Sequence, residues 1–187
     1  MSALRPGPRE RLISTAIAMV QERGVHATGL SDLLRRSSAA RNSIYQHFPG
    51  GKQELMVAAT ETAGEVVVAR IDRLAETGDP AEVLRALIAG WITELEESDF
   101  RAGCPIAAAA LVGPDEPAIT AAAAGAFARL RGRLAAALTD AGQPAAERTA
   151  SVVISAIEGA LLQARAAKSV QPLRDVEAAL PRLLSSA

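Results

Sequence analysis

Forty-one of the chain's 187 residues are alanine, and only 3% are aromatic. Alanine is the best helix former and a poor strand former, and the β-branched and aromatic side chains that fill sheets are sparse here. The imbalance excludes an all-β fold and disfavours a mixed α/β one. The length allows one or two domains with a true core, and a hydrophobic fraction of 49% argues against intrinsic disorder.

One cysteine, Cys104, excludes an intrachain disulfide, and two histidines far apart in sequence exclude a histidine-built metal cluster, so no metal or cofactor is expected. The longest uncharged run, 102–114, is too short to cross a bilayer and is broken by Gly and Pro. No apolar stretch precedes Arg9-Glu10-Arg11, so the start does not read as a secretory signal. The expectation is a soluble cytoplasmic protein with no membrane contact.

The net charge of −1 conceals an asymmetry. Residues 1–56 carry eight Arg/Lys against four Asp/Glu, while the remainder carries 12 against 17. A basic unit joined to a larger acidic one suits a polyanion reader carried on a separate body, although a surplus of this size also arises as ordinary fluctuation.

Apolar periodicity punctuated by Gly and Pro predicts nine helices. The first covers 8–23, with Pro8 in its first turn and Gly24 as its stop. Thr28 or Gly29 caps the second, in which Leu30, Leu33 and Leu34 face inward, and Ser37-Ser38 forms a turn. The third spans 40–47 and the fourth runs from Gly51-Lys52 to about Thr77. Asp79 caps a fifth over 80–97, and Gly103-Cys104-Pro105 opens a short sixth ending at Gly113-Pro114. Long helices over 115–140 and 144–168 follow, then a last one over 172–184 bent at Pro181.

Three short helices with a turn between the second and third make a helix-turn-helix pattern whose third member would read a DNA groove. Its exposed face offers Arg41, Asn42, Ser43 and Gln46, side chains that hydrogen-bond base edges or phosphates. Tyr45, His47 and Lys52 stand just beyond, and the free N–H groups opening the fourth helix beside Gly50-Gly51 favour an anion.

The run Arg41-Asn42-Ser43-Ile44-Tyr45-Gln46-His47-Phe48, followed by Pro49-Gly50-Gly51-Lys52-Gln53-Glu54-Leu55, resembles the signature of TetR-type transcriptional regulators. That signature is a small recognition helix ending in an aromatic-x-His-Phe box, then a Lys opening the next helix. Ala16, Gly24, Thr28 and Leu30-Ser31-Asp32-Leu33 fit it too, so the likeness covers about the first 56 residues. The Phe48-Pro49-Gly50-Gly51-Lys52 wording and Gly103-Cys104-Pro105 resemble the LmrA/YxaF-like branch.

The resemblance implies an all-α, nine-helix, TetR-like homodimer. It would have a DNA-binding helix-turn-helix head over 1–50 and a ligand-binding and dimerisation body over 51–187. It implies a transcriptional repressor that releases double-stranded operator DNA when a small, apolar effector binds the body. By position, Arg41, Asn42, Ser43 and Gln46 would meet the operator, with Tyr45, His47 and Lys52 on phosphates, while Ile44 and Phe48 would lock the helix onto the head's core. Two departures stand out. The turn usually carries Gly where this chain has Ser38, and the recognition helix usually begins with Ser, Thr or Pro where it has Ala40. Ser38 would then take a left-handed conformation, and Ser37 or Ser38 would cap the helix.

In the body, Trp91, Phe100, Cys104 and Phe127 are candidates to line an apolar effector cavity, with core packing as the alternative for each. Cys104 reads either as a thiol sensor or as a small buried apolar residue. The last two helices carry broad apolar faces. Ile157, Ala160, Leu161 and Ala164 are candidates for an isologous dimer interface, against an intrachain core. Nothing resembles a Ser/His/Asp set, a P-loop, a dinucleotide fingerprint or HExxH, so no enzyme is expected. The competing reading is a helical protein-interaction module that keeps the head without specific DNA binding.

Overall fold

The computed structural model describes residues 7–76 and 79–185, and every regular element in them is helical. In chain order these are α1 (Pro8–Arg23), α2 (Leu30–Ser37), α3 (Arg41–His47), α4 (Gly51–Ala75) and α5 (Pro80–Glu97), then α6 (Pro105–Ala110), α7 (Pro117–Asp140), α8 (Ala146–Ala167) and α9 (Gln171–Ser185). Thr77 and Gly78, where the fourth helix was expected to end, lie outside the described residues.

Local chemistry accounts for most boundaries. Pro8 occupies the first turn of α1, where its missing N–H costs nothing, and the Glu10 carboxylate accepts the Gly7 N–H at 2.9 Å. Gly24 ends the helix at φ 79°. The cap of α2 is Gly29; the fully buried Thr28 instead donates its hydroxyl to the Gly24 carbonyl at 2.8 Å and so fixes the α1–α2 loop. Asp79 caps α5 as expected, its side chain accepting the Ala81 N–H at 2.9 Å.

Three boundaries differ from expectation. Helix α6 stops at Ala110, so 111–116 is a loop. Helix α7 starts at Pro117, the residue best suited to a first turn. Helix α8 starts at Ala146 because Ala145 sits in the left-handed region at φ 50°, which cannot propagate a helix backward to Pro144.

The chain divides into two compact units. One comprises residues 1–63 and 105–126; the other comprises 64–104 and 127–187. An expected cut at residue 50 therefore falls inside the first unit, which also takes up α6 and the start of α7. Its core is Leu12, Ala16, Met19, Leu33, Ile44, Phe48, Leu55 and Met56, all but withdrawn from solvent, and α6 packs on α1. His26 joins this packing through a ring nitrogen 2.8 Å from the Val112 carbonyl oxygen, and the Gln53 amide donates to the Glu116 carboxylate at 2.9 Å.

In the second unit α9 packs against both α8 and α5. The buried stripe of α8 is Ala146, Thr149, Ala150, Val153, Ile157, Ala160, Leu161 and Ala164. This corrects the expected dimer surface, because Ile157, Ala160, Leu161 and Ala164 are already buried by their own chain. The opposite stripe carries Val152, 45% exposed, and Leu162, 67% exposed, with open space at the Cβ position of Gly159 between them. By length and composition α8 is apolar enough to cross a membrane, yet Glu158 sits in its middle.

Candidate nucleic-acid interface

Helix α3 is two turns long, and its stability comes from the face it buries. Ile44 is fully buried and Phe48, which follows the last turn, is 1% exposed; they are one turn apart and anchor the helix to the head. The turn before it relies on Ser38 at φ 52°, ψ 34°, with the Ala39 N–H bonded to the Leu34 carbonyl at 3.2 Å. The expected left-handed Ser38 is therefore observed. The expected serine cap is not, because the Ser37 hydroxyl donates back to the Leu34 carbonyl and no side chain caps α3.

Opposite the anchors, Asn42, Tyr45 and Gln46 are exposed, Tyr45 to 59%. Arg41 opens the helix, and its side chain lies outside the described residues. Ser43 is the exception within the predicted set. At 9% exposure it faces inward beside Ile44, so it is not on the solvent face where it was expected. His47 and Lys52 are half-buried. The Tyr45 ring packs beside the turn into α4, with Cε1 3.6 Å from where a Gly51 side chain would begin; Gly51 itself holds φ 68°. The Gly50 N–H is already taken by the Glu54 carboxylate at 2.7 Å, which fills part of the anion position expected at this helix start.

Much of the head's positive charge is neutralised internally. Arg36 makes two hydrogen bonds to Glu22, at 3.0 and 3.2 Å, and that carboxylate raises its pKa. Asp32 accepts from Arg23 at 3.0 Å and pairs with Arg35 at 2.5 Å. The Arg23 hydrogen bond, reinforced by the Arg35 charge, holds the Asp32 carboxyl below its usual range.

The predicted effector residues are all in the second unit. Trp91, Phe100 and Phe127 are half-buried, and Cys104 is buried. Two open depressions occur there. One of about 520 Å³ lies along Ala128, Arg131, Gly132 and Ala135. The other, about 270 Å³, lies at Asp72, Arg133 and Asp140. None of the four predicted residues lines either. Sequence reasoning also passed over Glu158, whose carboxyl is held above its ordinary value by burial, partly offset by a hydrogen bond with the Cys104 side chain. Its signal was one acidic residue in the otherwise uncharged stretch 149–164. His26 and Gln53, which tie the head to the α6–α7 segment, carried no local signal.

An all-helical chain with a helix-turn-helix head and an outward polar face on its third helix defines a DNA-binding regulator. Residues 12–59 match the bacterial regulatory proteins of the tetR family, and residues 80–179 match the LmrA/YxaF-like C-terminal domain of transcriptional regulators. The chain belongs to the TetR family of transcriptional regulators, in the LmrA/YxaF-like branch, a class of regulators and not of enzymes. It is 41% identical to the uncharacterized HTH-type transcriptional regulator Rv0196 of Mycobacterium tuberculosis, over 95% of this chain and 94% of that one. It is 29% identical to the HTH-type transcriptional regulator LmrA of Bacillus subtilis, over 94% and 96%. Among solved structures, a TetR transcriptional regulator from Legionella pneumophila has a similar fold, with a TM-score of 0.85 at 22% identity over 98% and 100% of the two chains.

Proposed function

We propose that this regulator is a homodimeric repressor that binds operator DNA through α3 and is released by a small effector bound in the body. The observation that carries the reading is the two-sided α3: Ile44 and Phe48 lock one side into the head, leaving Asn42, Tyr45 and Gln46 on the other. A rigid helix with polar side chains outward can enter a major groove, where Asn and Gln pair bidentately with adenine and Tyr45 can donate to a phosphate. Two such heads must sit about 34–36 Å apart, or at a related spacing, to reach successive major grooves.

The dimer reading rests on the outer stripe of α8, where Val152 and Leu162 flank the open surface at Gly159. A second copy of the same stripe covers these side chains isologously. That pairing also accounts for an apolar helix of which only about a third is buried in one chain, and it favours a cytoplasmic protein over a membrane-inserted one. Effector release then needs only a ligand with higher affinity for the non-binding spacing of the heads. Trp91, Phe100 and Phe127, all half-buried in the body, remain the aromatic groups available for an apolar ligand.

The test is a fluorescence-anisotropy titration of the full-length protein with the duplex flanking its own gene. Salt-sensitive, sequence-selective binding is expected. Gln46→Ala should cost about 1–3 kcal/mol at one base pair and relax the preference there, whereas Tyr45→Phe should weaken binding to all sequences alike. Binding that ignores sequence at moderate ionic strength overturns the proposal.

A further inference from the structure

Arg9 is set apart from most of the head's cations. Arg23, Arg35 and Arg36 are each paired with a carboxylate, and the Arg11 side chain donates to the Ser37 carbonyl at 3.4 Å. Arg9 has no carboxylate partner among the described residues. Two carboxylates on the same segments are engaged by backbone, Glu10 accepting the Gly7 N–H and Glu54 the Gly50 N–H. The Arg9 guanidinium instead lies over the Phe48 ring, with its central carbon 5.3 Å from the ring centroid.

That stacking has a geometric consequence. Phe48 is 1% exposed and Arg9 is exposed, so the guanidinium is the solvent-side neighbour of a ring that is itself fixed in the head's core. A guanidinium held over a ring by its charge spends no N–H donor on a carboxylate, so its fork stays available to a phosphate. Phe48 follows α3 directly and Lys52 lies in the first turn of α4, so the guanidinium stands where recognition helix and backbone-contacting turn meet.

We infer that Arg9 is a further phosphate contact of this protein, a guanidinium fork pinned on Phe48 that grips the DNA backbone beside α3. The inference rests on the DNA-binding reading above. The alternative is a stacking contact that only fastens α1 to α3.

The experiment measures the affinity of the full-length protein for its own upstream duplex and for an unrelated duplex between 0.05 and 0.3 M NaCl (roughly the range in which counterion release dominates). Arg9→Gln and Arg9→Lys are compared with the unsubstituted protein. A lost phosphate contact makes the slope of log K against log salt shallower by about 0.9, so the affinity loss is largest at low salt and shrinks roughly fivefold across this range. Arg9→Gln should show that loss equally on both duplexes with base preference unchanged. Arg9→Lys should keep the slope while losing part of the affinity. An unchanged slope for Arg9→Gln, with only its thermal midpoint lowered, leaves Arg9 as a structural stack and overturns the inference alone. If the unsubstituted protein binds neither duplex, the DNA-binding reading falls and the inference with it.

Discussion

Ser38 offers a direct test of how local backbone chemistry shapes the DNA-reading head. It occupies the left-handed region at φ 52°, ψ 34° at the end of α2, the position at which TetR-type turns usually carry glycine. An L-residue there is strained by about 1–2 kcal/mol against the Cβ-free alternative. Glycine gives back about 0.4–1 kcal/mol because its unfolded chain has more freedom to lose. Ser38→Gly should therefore stabilise the head by roughly 0.5–1 kcal/mol, a shift of about 0.3–0.5 M in a urea midpoint. The chain's single tyrosine, Tyr45, and single tryptophan, Trp91, lie in different compact units, so their emissions separate head from body. At fixed protein concentration the Tyr45 transition should move up and the Trp91 transition should stay in place. Ser37→Gly is the control. Ser37 is helical and buried, so the same chemistry there should destabilise by about 1 kcal/mol. A Tyr45 midpoint that does not rise with Ser38→Gly, or equal gains at both serines, would refute the strain argument.

Two further outcomes test the body. If the proposed α8 dimer forms, Leu162→Glu should convert it to monomer in sedimentation while leaving monomer helicity intact, whereas Ile157→Ala, inside the chain's own core, should cost about 2–5 kcal/mol of stability; dissociation caused by Ile157→Ala alone, with Leu162→Glu still dimeric, counts against the outer stripe. Glu158 is held above the ordinary glutamate value of 4.5 by burial, so the folded state binds the extra proton and stability should fall as pH rises from about 4.5 through the raised value. Glu158→Gln should flatten that decline in a pH series of thermal midpoints; a decline identical to the unsubstituted protein's assigns it to other groups.

The helix-turn-helix box was legible because its information is local. Ile44 and Phe48 stand four residues apart with Tyr45 between them, so their spacing alone puts one pair inward and the hydroxyl outward. Ser43 was misplaced because a seven-residue helix has too few residues for its polar pattern to fix the edge of the buried stripe. Its burial follows from how deeply the head seats α3. The α8 surface failed for a related reason. Apolar side chains occupy both of its sides, Val153, Ile157 and Leu161 on one and Val152 and Leu162 on the other, and periodicity cannot say which side its own chain covers. Glu158 and Cys104 are far apart in sequence, so their pairing left no local trace.

From its sequence alone this chain was determined to be all-helical, to break mostly beside Gly or Pro, and to carry a TetR-type recognition helix. Those properties arise from interactions within a turn or two of backbone, whose free energies are written into neighbouring residues. Tertiary structure decided which stripe of α8 stays open, which arginines of the head are cancelled by Glu22 and Asp32, and that Arg9 lies over Phe48. Each of these depends on partners brought together by long-range packing, and no local free energy ranks those arrangements.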